Sequence, residues 1–72
     1  MILSYKDIFE PKARTRIKAE ITTDHPTSSY GQPVIVLEDG GALDLMSWVA
    51  LDYRVVRATV KERAGLEGMG LI

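Results

Sequence analysis

Apolar and polar residues alternate most cleanly over residues 14–22. Thr15, Ile17, Ala19 and Ile21 fall on one side of a pleated strand, and Arg14, Arg16, Lys18 and Glu20 on the other. The same stretch also meets a helical period through Ala13, Ile17 and Ile21, so residues 12–22 read as strand or helix. The longer alternation and the run Ile21-Thr22-Thr23, which suits a pleated surface, favour the strand. Upstream, Tyr5, Ile8 and Phe9 follow an i, i+3, i+4 spacing. This predicts a short helical turn from Ser4 to Phe9, closed by Pro11, because a residue before proline is driven out of the helical region.

Downstream, Val34 to Leu37 is continuously apolar, which predicts a strand near 34–38 buried on both faces. It ends at Asp39-Gly40-Gly41, where glycine permits a tight turn. Residues 42–46 fit a hairpin return or the approach to a helix. The helix is favoured, near 45–51, with Asp44 as N-cap to Met46 or Ser47 and Trp48 as its anchor. Tyr53 to Ala58 reads as a strand near 53–58. Thr59 and Glu62 have capping-box spacing and start a helix near 60–67, which Gly68 or Gly70 ends.

These elements predict a single α+β domain over residues 1–72, with a three-stranded mixed sheet and two short helices. The strand–helix–strand portion suggests a right-handed crossover between parallel strands, with the first strand an antiparallel neighbour. The expected core is Ile17, Ile21, Val34, Val36, Leu45, Trp48, Val49, Val55 and Val60.

Composition narrows the function classes. A chain of 72 residues buries only about 60% of the surface its unfolded form exposes. Without cysteine there is no disulfide to compensate, and His25 is the lone imidazole, so neither zinc nor any other metal or cofactor is expected. Hydrophobic residues make up 46% of the chain. Self-association into a homo-oligomer is therefore the expected remedy, through an apolar helix surface or a sheet edge. The net charge of −1 supplies no global pull toward nucleic acid or anionic lipid. The N-terminal "MILSYKDIFEPK" lacks the pattern of a signal peptide, and no segment approaches the ~20 apolar residues of a membrane span. A cytoplasmic protein without membrane association is expected.

Two segments carry candidate chemistry. "TTDHPTSSYGQP" contains Asp24, His25, Ser28, Ser29 and Tyr30, residue types suited to nucleophilic catalysis. Adjacent acid and imidazole side chains diverge, however, and there is no G-x-S-x-G elbow. The stretch reads as a connector first, through local turn bonding and the two prolines, and as a recognition loop second. The second segment is a basic stripe, Lys12, Arg14, Arg16 and Lys18, which would share one face of a strand. That pattern suits contact with nucleic acid, but it also describes a solvated strand whose charges discourage aggregation.

Other patterns have plain explanations. Glu38, Asp39 and Asp44 lack calcium-loop spacing, and "GLEGMG" lacks the lysine of a phosphate loop and follows a helix. Trp48, Tyr53 and Tyr30 suggest core packing or a partner surface. The leading expectation is a non-catalytic protein-interaction or regulatory module, with no catalytic residue assigned. Nucleic-acid binding through residues 12–18 comes second, and a small hydrolase built on the His25 loop third.

Overall fold

The computed structural model describes residues 1–10, 12–28 and 30–72. Among them the elements run β1 (Ile2–Lys6), β2 (Arg14–Thr22), β3 (Val34–Leu37), β4 (Ala42–Leu43), α1 (Leu45–Ala50), β5 (Arg54–Arg57) and α2 (Val60–Gly68). The strands form a five-stranded sheet in the order β4-β3-β2-β1-β5, and every neighbouring pair is antiparallel. This overturns the expectation of a three-stranded mixed sheet.

Two strands account for the difference. Residues 2–6 extend instead of forming a helical turn, and β1 pairs with β2 on one side and β5 on the other. Its alternation is hard to see, because Met1, Leu3 and Tyr5 share a face while Ile2, on the opposite face, is also apolar. The second addition is β4, a two-residue return beside β3. It reverses the chain before α1. The helix therefore carries the chain from the β4 edge to the β5 edge. The expected parallel strands of residues 34–38 and 53–58 do not form: β3 and β5 run in opposite directions, while β4 and β5, which run the same way, lie at opposite edges with three strands between them. The closure expected of Pro11 lies outside the described residues.

Both helices are capped by their own sequence. The Asp44 carboxylate accepts the Ser47 N–H at 2.7 Å, which holds its pKa below the ordinary value. Thr59 and Glu62 exchange the two bonds of a capping box, at 3.1 and 2.9 Å. The Thr59 backbone N–H, with help from the N-terminal ammonium, holds the Glu62 carboxyl below its usual range. At its C-terminus α2 ends in a Schellman motif. The Gly70 N–H bonds to the Glu67 carbonyl, and the Leu71 N–H bonds to that of Leu66. Gly70 has φ 77°, the left-handed conformation that position requires.

Leu3, Ala19, Ile35, Trp48, Tyr53 and Leu66 form the buried core, flanked by half-buried Ile17, Ile21, Leu37 and Val55. The strand residues in this group all lie on one face, and α1 and α2 cover that face with Trp48 and Leu66. Tyr5, Tyr53 and Trp48 stack in succession, with ring centroids 5.1 and 5.6 Å apart. Helix α2 approaches closely at Gly65, where a Cβ would meet Ile21 Cδ1 at 3.0 Å.

The expected core needs correcting in two ways. Leu45, Val49 and Val60 are exposed, at 60%, 70% and 87%. Val34 and Val36 pair with Thr22 and Glu20 on the face the helices leave open, so β3 buries only Ile35 and Leu37 against them. Among the described residues no helix is long and apolar enough to cross a membrane.

Candidate functional site

The uncovered face of the sheet is where the cations gather. In β2, Arg14, Arg16 and Lys18 all point to this side, because alternate residues of a strand share a face. Lys12 precedes the strand and is exposed in the connection from β1, so the expected stripe is one residue shorter on the sheet itself. Register then adds cations that lie far away in sequence. Arg14 stands opposite Lys6, and Arg16 opposite Ser4, which in turn faces Arg54. Lys18 stands opposite Ile2, which faces Arg57.

Arg57 reaches this side through an irregularity. Arg54 and Arg57 are three apart, so plain alternation would place them on opposite faces. The register shifts between Ile2 and Leu3, so that Val56 and Arg57 together oppose Ile2 and Arg57 joins the basic side. Six of the nine Lys and Arg residues thus occupy three neighbouring strands of one face. Acidic groups near them include Glu20 on β2, Glu38 just beyond β3, Asp52 before β5 and, where Lys18 and Arg57 border α2, Glu62. A chain with net charge −1 therefore carries a locally positive surface.

The geometry is that of a shallow trough. Arg14, Arg16 and Lys18 form one rail on β2, and Arg54 and Arg57 the other on β5. Between them lies β1, so the rails are about 9–10 Å apart, two strand spacings. Ile2 forms the floor toward one end; toward the other, Ser4 is buried beneath the Arg14 side chain. Toward one end, Ile2, Arg16, Lys18, Glu38 and Arg57 line a depression of about 330 Å³.

Not all of these cations are free. The Arg14 guanidinium donates to Ser4 Oγ, the Ser4 carbonyl and Asp52 Oδ2, each at 3.1 Å, and also to the Asp52 carbonyl. It lies across β1, covers Ser4 and ties β2 to the start of β5. Arg54 Nη2 also donates to Asp52 Oδ2, at 2.9 Å. Desolvation of the Asp52 carboxyl works to raise its pKa. The pull of Arg54, Arg14 and Lys6 outweighs it, and the group stays below the ordinary value. No described partner neutralises Lys6, Arg16, Lys18 or Arg57 among the ion pairs of the described residues.

The described contacts of the His25 loop are local or run to the β3–β4 turn. His25 Nδ1 accepts the Thr27 N–H at 3.2 Å and lies 2.9 Å from Thr27 Oγ1, while Nε2 lies 3.2 Å from the Gly40 carbonyl. With Nδ1 accepting, the ring proton sits on Nε2 and is donated to Gly40. The imidazole thus ties the β2–β3 connection to the β3–β4 turn. Ser28 Oγ donates to the Gln32 carbonyl instead of meeting the ring. The Asp24 backbone N–H bonds to Thr22 Oγ1, a local turn contact. Tyr30 is fully exposed with φ 55° and does not pack back on the sheet, and Ser29 lies outside the described residues. Trp48 and Tyr53 belong to the core.

Sequence reading missed Lys6, Arg54, Arg57 and Asp52 as members of the charged face. A signal was present for Lys6, two residues from Ser4 on an alternating strand. For Arg57 there was none, because a bulge sets its side.

No family model matches the chain, and no curated protein or solved structure matches it either.

Proposed function

We propose that the protein is a non-catalytic binding module that takes the backbone of a nucleic acid on the open face of its sheet. The observation that supports this reading is the segregation of charge: cations converge on one uncovered face, in rows on β2 and β5 with Lys6 on β1 between them, in a chain with no excess of positive charge. Rows of cations suit a linear polyanion. The aromatic rings of Tyr5 and Tyr53 lie on the helix side, and none of the open-face positions of β1, β2 and β5 carries an aromatic residue, so phosphate contact dominates there. Binding of this kind is independent of sequence. A lipid surface is a poorer fit, because the trough itself presents few apolar groups for insertion.

Fluorescence anisotropy with a labelled random-sequence duplex tests the reading. Four unpaired cations, Lys6, Arg16, Lys18 and Arg57, give an expected log–log salt slope of about −3.6. Affinity should then fall about 150-fold between roughly 50 and 200 mM salt. Replacing Arg16, Lys18 and Arg57 with Gln should reduce the slope to about −0.9. Binding that is absent, or indifferent to salt, defeats the reading. Capture by vesicles of anionic lipid without capture of nucleic acid would transfer the face to a membrane partner.

Self-association is a second reading, supported by a separate observation. Leu45, Met46 and Val49 on α1 are exposed, and no residue of that helix is charged. The sheet edges are less suited to it. The edge strand β4 has two residues, while β5 begins and ends with arginine and carries the register shift. Equilibrium sedimentation of the protein and of Leu45→Ser/Val49→Ser distinguishes the cases. A single species at the mass of one 8.0 kDa chain at micromolar concentration removes this reading.

A further inference from the structure

Asp52 breaks a local rule. It occupies the position after the C-cap of α1, where its N–H bonds to the Val49 carbonyl at 3.2 Å and the following Tyr53 N–H to that of Trp48 at 3.0 Å. That is the same Schellman arrangement that closes α2, but α2 has Gly70 there and α1 has an aspartate at φ 49°. A side chain in the left-handed region is disfavoured, though aspartate and asparagine tolerate it better than most. Glycine would serve the turn better. What aspartate adds is a carboxylate directed at Arg14 and Arg54, at 3.1 and 2.9 Å.

The two arginines are held unequally. Arg14 has three further bonds, to both oxygens of Ser4 and to the Asp52 carbonyl, and its side chain is 26% exposed. Arg54 is 65% exposed and is held by the carboxylate. Removing the Asp52 charge therefore leaves Arg14 in place and frees Arg54, which stands on the β5 rail two strands from Arg16.

Building on the polyanion reading, we propose that Asp52 is a built-in competitor that occupies Arg54 and thereby limits the affinity of the basic face for phosphates. An anion fixed within the site tunes the surface. It leaves four cations available to a polyanion and withholds a fifth.

Asp52→Asn tests this cleanly, because asparagine tolerates the left-handed backbone and keeps the side-chain shape. Against the labelled duplex, D52N should bind about 8-fold more tightly at roughly 0.1 M salt, with a slope steeper by about 0.9, the increment of one further neutralised phosphate. Glu67→Gln removes the same charge from α2, in the layer on the opposite side of the sheet, and should leave affinity nearly unchanged. Adding Arg54→Gln to D52N should abolish the gain. Circular dichroism confirms folding of each variant, and Asp52→Gly, which relaxes the backbone while removing the carboxylate, should show the same gain in binding. Equal affinity of wild type and D52N, with wild type binding, overturns the role of Asp52 while leaving the polyanion reading intact. An equal gain in E67Q assigns the effect to overall charge and overturns it too. If neither wild type nor D52N binds, both proposals fail.

Discussion

Replacing Trp48 with alanine is the most severe single test of how this fold is held together. The indole is 7% exposed, stacks on Tyr53 at 5.6 Å, and joins the sheet core at Ile35 from the α1 side. Truncating a buried aromatic to alanine costs about 3–5 kcal/mol, through lost transfer energy and the cavity left behind. The lost ring pairing with Tyr53 falls within that range. A chain of 72 residues has a total stability of roughly 4–11 kcal/mol, so the substitution removes a large share of it. In urea, with a slope of about 1–1.5 kcal/mol per molar for so small a domain, the midpoint should fall by roughly 2–5 M. Since Trp48 is the sole tryptophan, its fluorescence disappears with it, and far-ultraviolet circular dichroism must follow the transition. Trp48→Phe keeps a ring against Tyr53 and should recover about half of the loss. A W48A midpoint within about 0.5 M of wild type would refute the placement of Trp48 as the link between α1 and the sheet.

Other expectations follow from the caps, the turns and the charges. Gly70→Ala forces a Cβ into the left-handed cap of α2 and should cost about 1–2 kcal/mol in urea melts; an unchanged midpoint would contradict the Schellman geometry. Asp44, Asp52 and Glu62 all have folded-state pKa values below their ordinary values of 3.8, 3.8 and 4.5. Depressed carboxyls contribute stability that is complete above those values and is lost as pH falls through the folded ones. The melting temperature should therefore decline once pH drops below 4.5, and combined D44N, D52N and E62Q should flatten that decline; a parallel decline in the triple variant would rule these groups out. His25→Ala removes the tie between Thr27 and Gly40 and should cost about 0.5–1.5 kcal/mol, with faster amide exchange at Thr27. Exchange there at the wild-type rate would show that the imidazole does not hold the loop.

What the chain determined by itself is what forms over a few neighbouring residues. Asp44 and Thr59 announce the helix starts because a cap is a bond between residues three apart. The alternation of β2 was equally legible, and with it the shared side of Arg14, Arg16 and Lys18. Tertiary structure decided the rest. Whether Val34 and Val36 are buried depends on whether a second layer covers their face, and a continuous apolar run such as Val34 to Leu37 is compatible with either outcome. Helix α1 exposes Leu45 and Val49 because it crosses the sheet on its Trp48 side, a path fixed by the β4 reversal and by the docking of β5 at the far edge. The charged face is the clearest case. Arg54 and Arg57 lie near Arg16 and Lys18 only because β1 pairs with both β2 and β5, and Arg57 points outward only because the ladder slips at Ile2. Periodicity records which residues of one strand share a side, but it holds no record of which strand lies next to which. That choice belongs to the apolar face as a whole, where Leu3, Ala19, Ile35, Trp48, Tyr53 and Leu66 leave water together.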